Sequence, residues 1–331
     1  MSRPRFFPHA LTYVRRRPSL CVSAALVLLL AGWAVAGGLH VIARGDSRAV
    51  PMLSPSPSAS PSAPASPPPS PSPSPSESVG TMRLDGVGQS TEADPDQVLA
   101  ERLAPILKTT TASLSVAVLD LENGHQARYG VRTGTTYDTA SIVKVDILVA
   151  LLLKAQDQDR RLTAQEKTYA VSMIRVSDNA SADALWSAIG GAPGLDAANR
   201  RLGLTGTTAG SNGLWGLTQT TATDQVALLS VVFGEDSELA AASRSYVREL
   251  MGGTAEGQDW GVSAAGTAPE LKNGWLPRTA TGLWDINSIG RISVDGHSCL
   301  LAVLSGGSVS KQAGVSLVEK AAKAAAAVIS A

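Results

Sequence analysis

The feature that most constrains this chain is a stretch that cannot build a core. Residues 51–76 are almost entirely Pro, Ser and Ala and hold eleven of the nineteen prolines. Proline removes amide donors, and the stretch offers little apolar surface to bury, so it reads as an extended, semi-rigid spacer. Any packed domain lies to one side of it. The residues before it are ill suited to packing. Positions 1–19 carry Arg3, Arg5, Arg15, Arg16 and Arg17 with no acid, and Leu20 to Ala43 then runs without a charged residue. A run of that length spans a bilayer as a helix, with the arginines holding its N-terminal side in the cytoplasm.

The expected organisation is therefore a basic cytoplasmic N-terminus (1–19), a transmembrane signal anchor (20–43), a Pro/Ser-rich linker (44–93) and an extracellular domain (94–331). Ala34-Val35-Ala36 before Gly37 also fits a signal-peptide cleavage pattern, so secretion after cleavage near Ala36 stands as the alternative to anchoring. The formal net charge is zero, and no stretch pairs a basic patch with aromatics, which excludes a nucleic-acid partner. A monomer is expected. Cys21 lies in the apolar segment and Cys299 in a late strand-like run, so no disulfide is expected. Beyond the linker the histidines are His125, after Asn123-Gly124, and His297, after Asp295-Gly296. Both read as exposed turn histidines. That leaves a zinc site or a His-based triad unsupported, and no cofactor is implied.

In the domain, Asp94-Pro95-Asp96-Gln97 reads as a helix start, with Asp as cap, Pro at the first helical position and Gln reaching back. Leu114–Leu121 and Gln126–Val131 flank Asn-Gly as a hairpin. Ser141 to about Ile189 and Leu195 to about Leu250 are helical with Gly-rich breaks. Strands return at Glu270–Trp275, Trp284–Val294 and Ser298–Ser305, and Val315–Ile329 closes the chain as an Ala-rich helix. This order predicts an α+β fold. One antiparallel five-stranded sheet is flanked by the N- and C-terminal helices and joined to an all-helical lobe.

Three short motifs carry chemistry. In Ser141-Ile142-Val143-Lys144 the serine and lysine share one helix face. The serine hydroxyl needs a base, and a lysine serves as one only when desolvation or a second cation lowers its pKa. Ser177-Asp178-Asn179 lies between helical stretches. Its serine can relay a proton to a leaving group, and its asparagine can hold the lysine and a substrate carbonyl. A helix cap is the plainer reading of the same three residues. Lys272-Asn273-Gly274-Trp275 lies on a strand. Its lysine supplies a second cation for a substrate carboxylate, and its glycine permits close backbone approach. The amide after that glycine can complete an oxyanion hole with the amide of Ser141. An exposed strand-end lysine is the bland alternative.

The order Ser-x-x-Lys, Ser-Asp-Asn, Lys-x-Gly resembles the signature of class A β-lactamases and penicillin-binding proteins. The likeness runs from about Asp94 to the C-terminus. It implies a serine β-lactamase-like fold, Ser141, Lys144 and Ser177 as catalytic residues, and Asn179, Lys272, Asn273, Gly274 and Trp275 as substrate-binding residues. The substrate it implies is a β-lactam or a D-alanyl peptide of peptidoglycan.

The pattern breaks in three places. Class A enzymes use an omega-loop glutamate to activate the deacylating water, but Ala197 to Thr223 contains no Asp or Glu. Asp183 and Asp196 sit in helical contexts, and neither is assigned that role. Asn273 stands where Thr or Ser is usual, and Trp275 where a small residue is usual. Trp275, Trp215 and Trp284 are candidates for reshaping the cleft, against ordinary packing. Arg278 is read as an exposed turn arginine in preference to a carboxylate receptor. The expectation is an extracytoplasmic serine hydrolase that acylates and deacylates slowly. The alternative is a catalytically weak wall- or ligand-binding module using the same cleft.

Overall fold

The computed structural model describes residues 93–329. The predicted basic N-terminus, apolar segment and most of the linker lie outside the described residues. Among the described residues no helix is long and apolar enough to cross a membrane.

The chain opens with α1 (Pro95–Leu107), then the hairpin β1 (Ser113–Asp120) and β2 (Gln126–Tyr129). A two-residue strand, β3 (Tyr137–Asp138), and a 3₁₀ turn (Ala140–Ile142) lead into the helical lobe. The lobe comprises α2 (Val143–Asp157), α3 (Ala164–Arg175), α4 (Asn179–Ile189), α5 (Gly191–Arg201), α6 (Ala222–Phe233) and α7 (Ala241–Gly252). A loop between α5 and α6 contains the short strand β4 (Gln219–Thr220). Three strands follow, β5 (Thr267–Pro277), β6 (Trp284–Val294) and β7 (His297–Ser308), and α8 (Lys311–Ile329) ends the domain.

The sheet is five-stranded and antiparallel, in the order β2-β1-β7-β6-β5. Its central strand explains why Leu300 to Leu304 reads as a continuous apolar run. Cys299, Leu301 and Val303 pack with α1 and α8, whereas Leu300, Ala302 and Leu304 pack with the helical lobe. A strand covered on both faces has no solvent side to alternate toward. Small residues let α8 lie close to the sheet. A Cβ on Gly314 would meet Ile286 Cγ1 at 2.2 Å, and Ala321, Ala322 and Ala325 are fully buried. The Asp295-Gly296 link has φ of 50° and 89° at its two residues, as a tight hairpin with two left-handed positions requires.

Several local expectations change. Asp94 does cap α1, accepting from Asp96 N at 3.0 Å. Gln97, however, does not reach back; its amide donates forward to Glu101 Oε1 at 2.9 Å, a one-turn pairing. β2 stops at Tyr129 because Gly130 has φ +69° and its Cα abuts Leu114 O, where a Cβ would sit 2.3 Å away. The helical pattern expected over Leu195–Leu250 breaks after Arg201 into the loop before α6. His297 lies on β7 and is exposed, yet its Nδ1 pairs with Oδ2 of fully buried Asp120 at 2.7 Å. That pairing raises the imidazole pKa and ties one end of the sheet. Cys299 is a free thiol buried in the sheet, and burial pushes it up to about 12.

One buried acid sits in the helix that positions the chemistry. Asp146 on α2 is 1% exposed and accepts from the Asn199 side-chain amide at 3.0 and 3.2 Å. Burial pushes its carboxyl up to about 8, against the Asn199 bond and helped by Asp224 and Asp196. The folded carboxyl therefore holds its proton at pH 7, while the unfolded one, at about 3.9, does not. The native state binds the extra proton between those values, so stability falls as pH rises from about 4 to 8. Asp146→Asn is expected to raise Tm by roughly 2–4 °C at pH 8.5, the equivalent of about 1 kcal/mol in a domain of this size. At pH 4 the gain is expected to vanish. A thermal melt series across pH checks this, and an equal effect at both ends would contradict it.

Candidate active site

The segment before Ser141 is clamped from two sides. β3 pairs with β4 through Tyr137–Thr220 and Asp138–Gln219, and Thr139 N donates to Thr218 O at 2.8 Å. From the sheet side, buried Asn287 on β6 donates to Asp138 O at 2.8 Å and Thr139 O at 3.0 Å, and accepts from Ser305 N. These contacts hold Ala140 at φ +48°, a conformation that costs a non-glycine residue of order 1–3 kcal/mol. Ser141 follows in the 3₁₀ turn, and α2 starts two residues later.

Lys144, in the first turn of α2, is fully buried. Its Nζ donates to Ser177 O at 2.7 Å, Ser177 Oγ at 3.2 Å and Asn179 Oδ1 at 2.7 Å. Ser177 joins α3 to α4 at φ +60°, a second strained non-glycine residue beside the chemistry. In this triplet the plain capping role belongs to Asp178 alone, which accepts from Ser181 N at 2.7 Å. Its two neighbours are turned toward Lys144.

Lys272 reaches the same hydroxyl from β5. It is 1% exposed and donates to Ser177 Oγ and to Asn273 O, both at 3.0 Å. Burial is the main cause of two lowered pKa values. Lys144 is pushed down to about 8, opposed by Asp178 and Asp183. Lys272 is pushed down to about 7, with the charge of Lys144 adding to the effect. Gly274 is where β5 touches the serine turn. A Cβ there would lie 2.8 Å from Ser141 N and Thr139 O and 2.9 Å from Ile142 N.

The structure thus brings Lys144 and Lys272 together on the Ser177 hydroxyl and Asn179 onto Lys144, while the backbone of Ser141 abuts Gly274. Asn273 is the exception and corrects the sequence expectation. Its amide donates to Gln258 O at 2.9 Å and Trp260 O at 2.7 Å, and the side chain is buried. Strand alternation turns it from the face that carries Lys272, so it braces the segment before β5 and offers no donor to a substrate.

A cleft of about 510 Å³ opens beside Ser141, lined among others by Asn179, Asp183, Leu214, Trp215, Trp275 and Leu276. Trp275 borders the cleft, but its half-buried ring, tilted 56° against Trp260 with Lys311 Nζ 4.0 Å away, packs with the cluster beneath α8, on the face that Asn273 shares. Trp284 packs with the same cluster. Arg278 is in a turn as expected, but it is ion-paired to Asp138 and, at 3.4 Å, to Asp285.

Three contributors lie outside the three motifs. Asn287 is the one side-chain amide on β6, and the groups it holds, other than Ser305, are far away in sequence. Trp215 lies with its ring centroid 4.8 Å from Lys144 Nζ. Asp183 accepts from Trp215 Nε1 at 2.7 Å, and its spacing of four from Asn179 places both on one helix face. Asp196 and Asp224, which flank the acid-free stretch, are engaged in holding it. Asp196 accepts from Ala209 N, and Asp224 accepts from Gly206 N and the Thr207 hydroxyl.

The sequence matches the model of the β-lactamase enzyme family over residues 97–170 and 164–329. Solved structures agree in fold. A class A β-lactamase representative from Bacteroides cellulosilyticus superposes with a TM-score of 0.62 at 18% identity, covering 72% of this chain and 99% of that one. A β-lactamase from Xanthomonas campestris gives 0.60 at 22% identity, covering 71% and 99%. A variant of PBP-A, solved as an acyl-enzyme complex with penicillin G, gives 0.59 at 18% identity, covering 71% and 96%. No functionally curated protein matches the sequence.

The tight approach at Gly274 gives a direct test of this geometry. Gly274→Ala forces β5 and the serine turn apart and is expected to cost about 1–3 kcal/mol, the range for overpacking a filled site. Urea unfolding measures it, and an unchanged midpoint would show that the two segments are not in contact.

Proposed function

The chain belongs to the β-lactamase enzyme family, and on that premise we propose that it is an extracytoplasmic serine acyl-transfer enzyme that forms an acyl-enzyme at Ser141. The substrates are β-lactams or D-alanyl-peptide-like amides. The observation that carries this reading is the convergence of two buried lysines on Ser177 Oγ, at 3.2 and 3.0 Å.

In this reading Lys144, with a pKa lowered to about 8, is neutral often enough near pH 7 to accept the Ser141 proton. The Ser141 oxygen then bonds to the substrate carbonyl carbon, and the oxyanion is held by the amides of Ser141 and Trp275. Ser177, bonded to Lys144, passes the proton to the departing nitrogen as the C–N bond breaks. Protonated Lys272 meets the substrate carboxylate, and Asn179 orients the substrate carbonyl. Apolar walls from Leu214 and Leu276 suit a substrate with an apolar side chain. Asn273 is dropped from the substrate-binding set.

Deacylation is slow in this reading, because no carboxylate lies in the stretch from Ala197 to Thr223. The arginine-rich start and the charge-free run Leu20–Ala43 support placement outside the membrane, on a Pro/Ser-rich stalk, with secretion as the alternative. A second reading, a non-catalytic binding module in the same cleft, draws on the Trp215 ring over Lys144 and on the withdrawal of Asn273.

Intact-mass analysis after incubation with benzylpenicillin separates the two. A single adduct lost in Ser141→Ala, and formed about 10²–10⁴ times more slowly in Lys144→Ala, is expected of the enzyme. Retention of penicillin without a covalent adduct would favour the module.

The two lysines also set a pH dependence. Acylation needs Lys144 neutral and Lys272 charged, so the second-order rate for a carboxylate-bearing β-lactam should be bell-shaped, centred between about 7 and 8. Its limbs belong to the coupled pair. A rate flat from pH 6 to pH 9 in stopped-flow labelling would remove Lys144 as the base.

A further inference from the structure

The loop between α5 and α6 has no carboxylate to offer the cleft, yet it places something there. Trp215 begins a 3₁₀ turn, Trp215–Leu217, and its backbone is tied on both sides. Leu217 N donates to Leu214 O at 2.9 Å and Thr218 N to Trp215 O at 3.0 Å, while Thr218 O accepts from Thr139 N beside the serine. The loop also closes tightly on itself, since a Cβ on Gly210 would meet Leu214 O at 2.1 Å. Gly216 faces the serine turn, where its Cβ would come 3.9 Å from Ala140 Cα. The indole is therefore carried by a turn whose backbone is held in place.

Two contacts define what the indole does. Its face covers Lys144, with Nζ 4.8 Å from the ring centroid. Its Nε1–H is donated to Asp183 Oδ1 at 2.7 Å. Asp183 is the one acidic side chain among the described residues that line the cleft.

Hydrolysis of a Ser141 ester needs a water whose oxygen bonds to the acyl carbon as the bond from that carbon to Ser141 Oγ breaks. One water proton must leave to a base and finally reach Oγ. The bases at hand are Lys144 and Asp183. Lys144 Nζ already faces Ser177 O, Ser177 Oγ and Asn179 Oδ1, and the indole covers a further side, which leaves the neutral amine few directions from which to reach a water. The same indole occupies one oxygen of Asp183. A single ring thus stands against both groups that could activate a water.

We propose that Trp215, held by Asp183, keeps the hydrolytic water from the acyl-enzyme and thereby sets its lifetime. This rests on the acylation of Ser141 and adds a cause for slow deacylation. The acyl-enzyme is long-lived because the place for water is filled, in addition to the lack of a dedicated carboxylate. Trp215 is in this sense the residue that decides how readily water serves as the acyl acceptor.

The test uses the domain acylated to completion with benzylpenicillin, stripped of free drug and followed by intact mass. Wild type, Trp215→Ala and Trp215→Phe are compared, each with a thermal melt. Trp215→Ala is expected to shorten the adduct half-life about tenfold or more, within the range that a newly engaged base supplies. Trp215→Phe keeps a ring over Lys144 but releases Asp183, and an intermediate half-life is expected. An unchanged half-life in a folded Trp215→Ala protein overturns the proposal. So does a wild-type adduct that decays within the time needed to remove free drug. If Trp215→Ala does not fold, Trp215→Leu is read by the same criterion. Absence of any adduct in the wild type is a different failure. It removes the acylation reading, and this inference with it.

Discussion

The arrangement of the whole site depends on one hydroxyl that serves two buried cations. Ser177 Oγ accepts from Lys144 on α2 and Lys272 on β5. A serine oxygen has two acceptor lone pairs, so both bonds are made and the hydroxyl hydrogen is left to point elsewhere. Neither lysine has a carboxylate hydrogen-bonded to its ammonium group. Desolvation therefore works against both charges, and the charge of Lys144 works against that of Lys272. A lysine that can lose its proton near neutral pH follows from where the helical lobe meets the sheet. Lys144 and Ser177 come from the lobe and Lys272 from the sheet, so the junction is itself the device that lowers the pKa values.

Holding that junction costs backbone strain. Ala140 and Ser177 both adopt positive φ without being glycine, and each sits beside a group that the chemistry uses. The stabilising contacts come from elsewhere. Asn287 grips the two carbonyls before Ala140, the β3–β4 ladder grips the same segment from the lobe side, and Asp178 caps the helix that Ser177 precedes. Beneath them the central strand β7 is packed on both faces. A rigid sheet thus supplies the anchor from which a strained turn is held.

What was legible in the sequence was what local spacing decides. Ser141 and Lys144 are three apart on one helical face, and the Asp-Gly turn fixes the last hairpin. The alternating or doubly apolar strands give the sheet. What was not legible depends on partners distant in the chain. Asn273 occupies a motif position, but its direction is set by the carbonyls of Gln258 and Trp260, in a segment with no strong pattern. Gln97 had two possible partners at helical spacing and takes the forward one. His297 read as a turn residue because nothing near it in sequence reveals buried Asp120, which pairs with it across the sheet. Trp215 stood out as a residue type and Asn287 did not, and the roles of both appear only when β6 and the loop before α6 converge on the serine turn.

The acid-free loop shows how an absence in a sequence becomes a positive feature of a structure. Acids are present at its borders, but Asp196 and Asp224 are used as acceptors for loop amides and a loop hydroxyl. They fix the path of residues 206–209, and the rest of the loop is then tied to the serine turn through Thr218. The side chain that this fixed path delivers to the cleft is an indole. An indole has one donor and no acceptor, so it cannot take a proton from water. It can lie against an ammonium group and give its single N–H to a carboxylate, and Trp215 does both. The same framework that could have held a base against the serine therefore holds a group that cannot act as one.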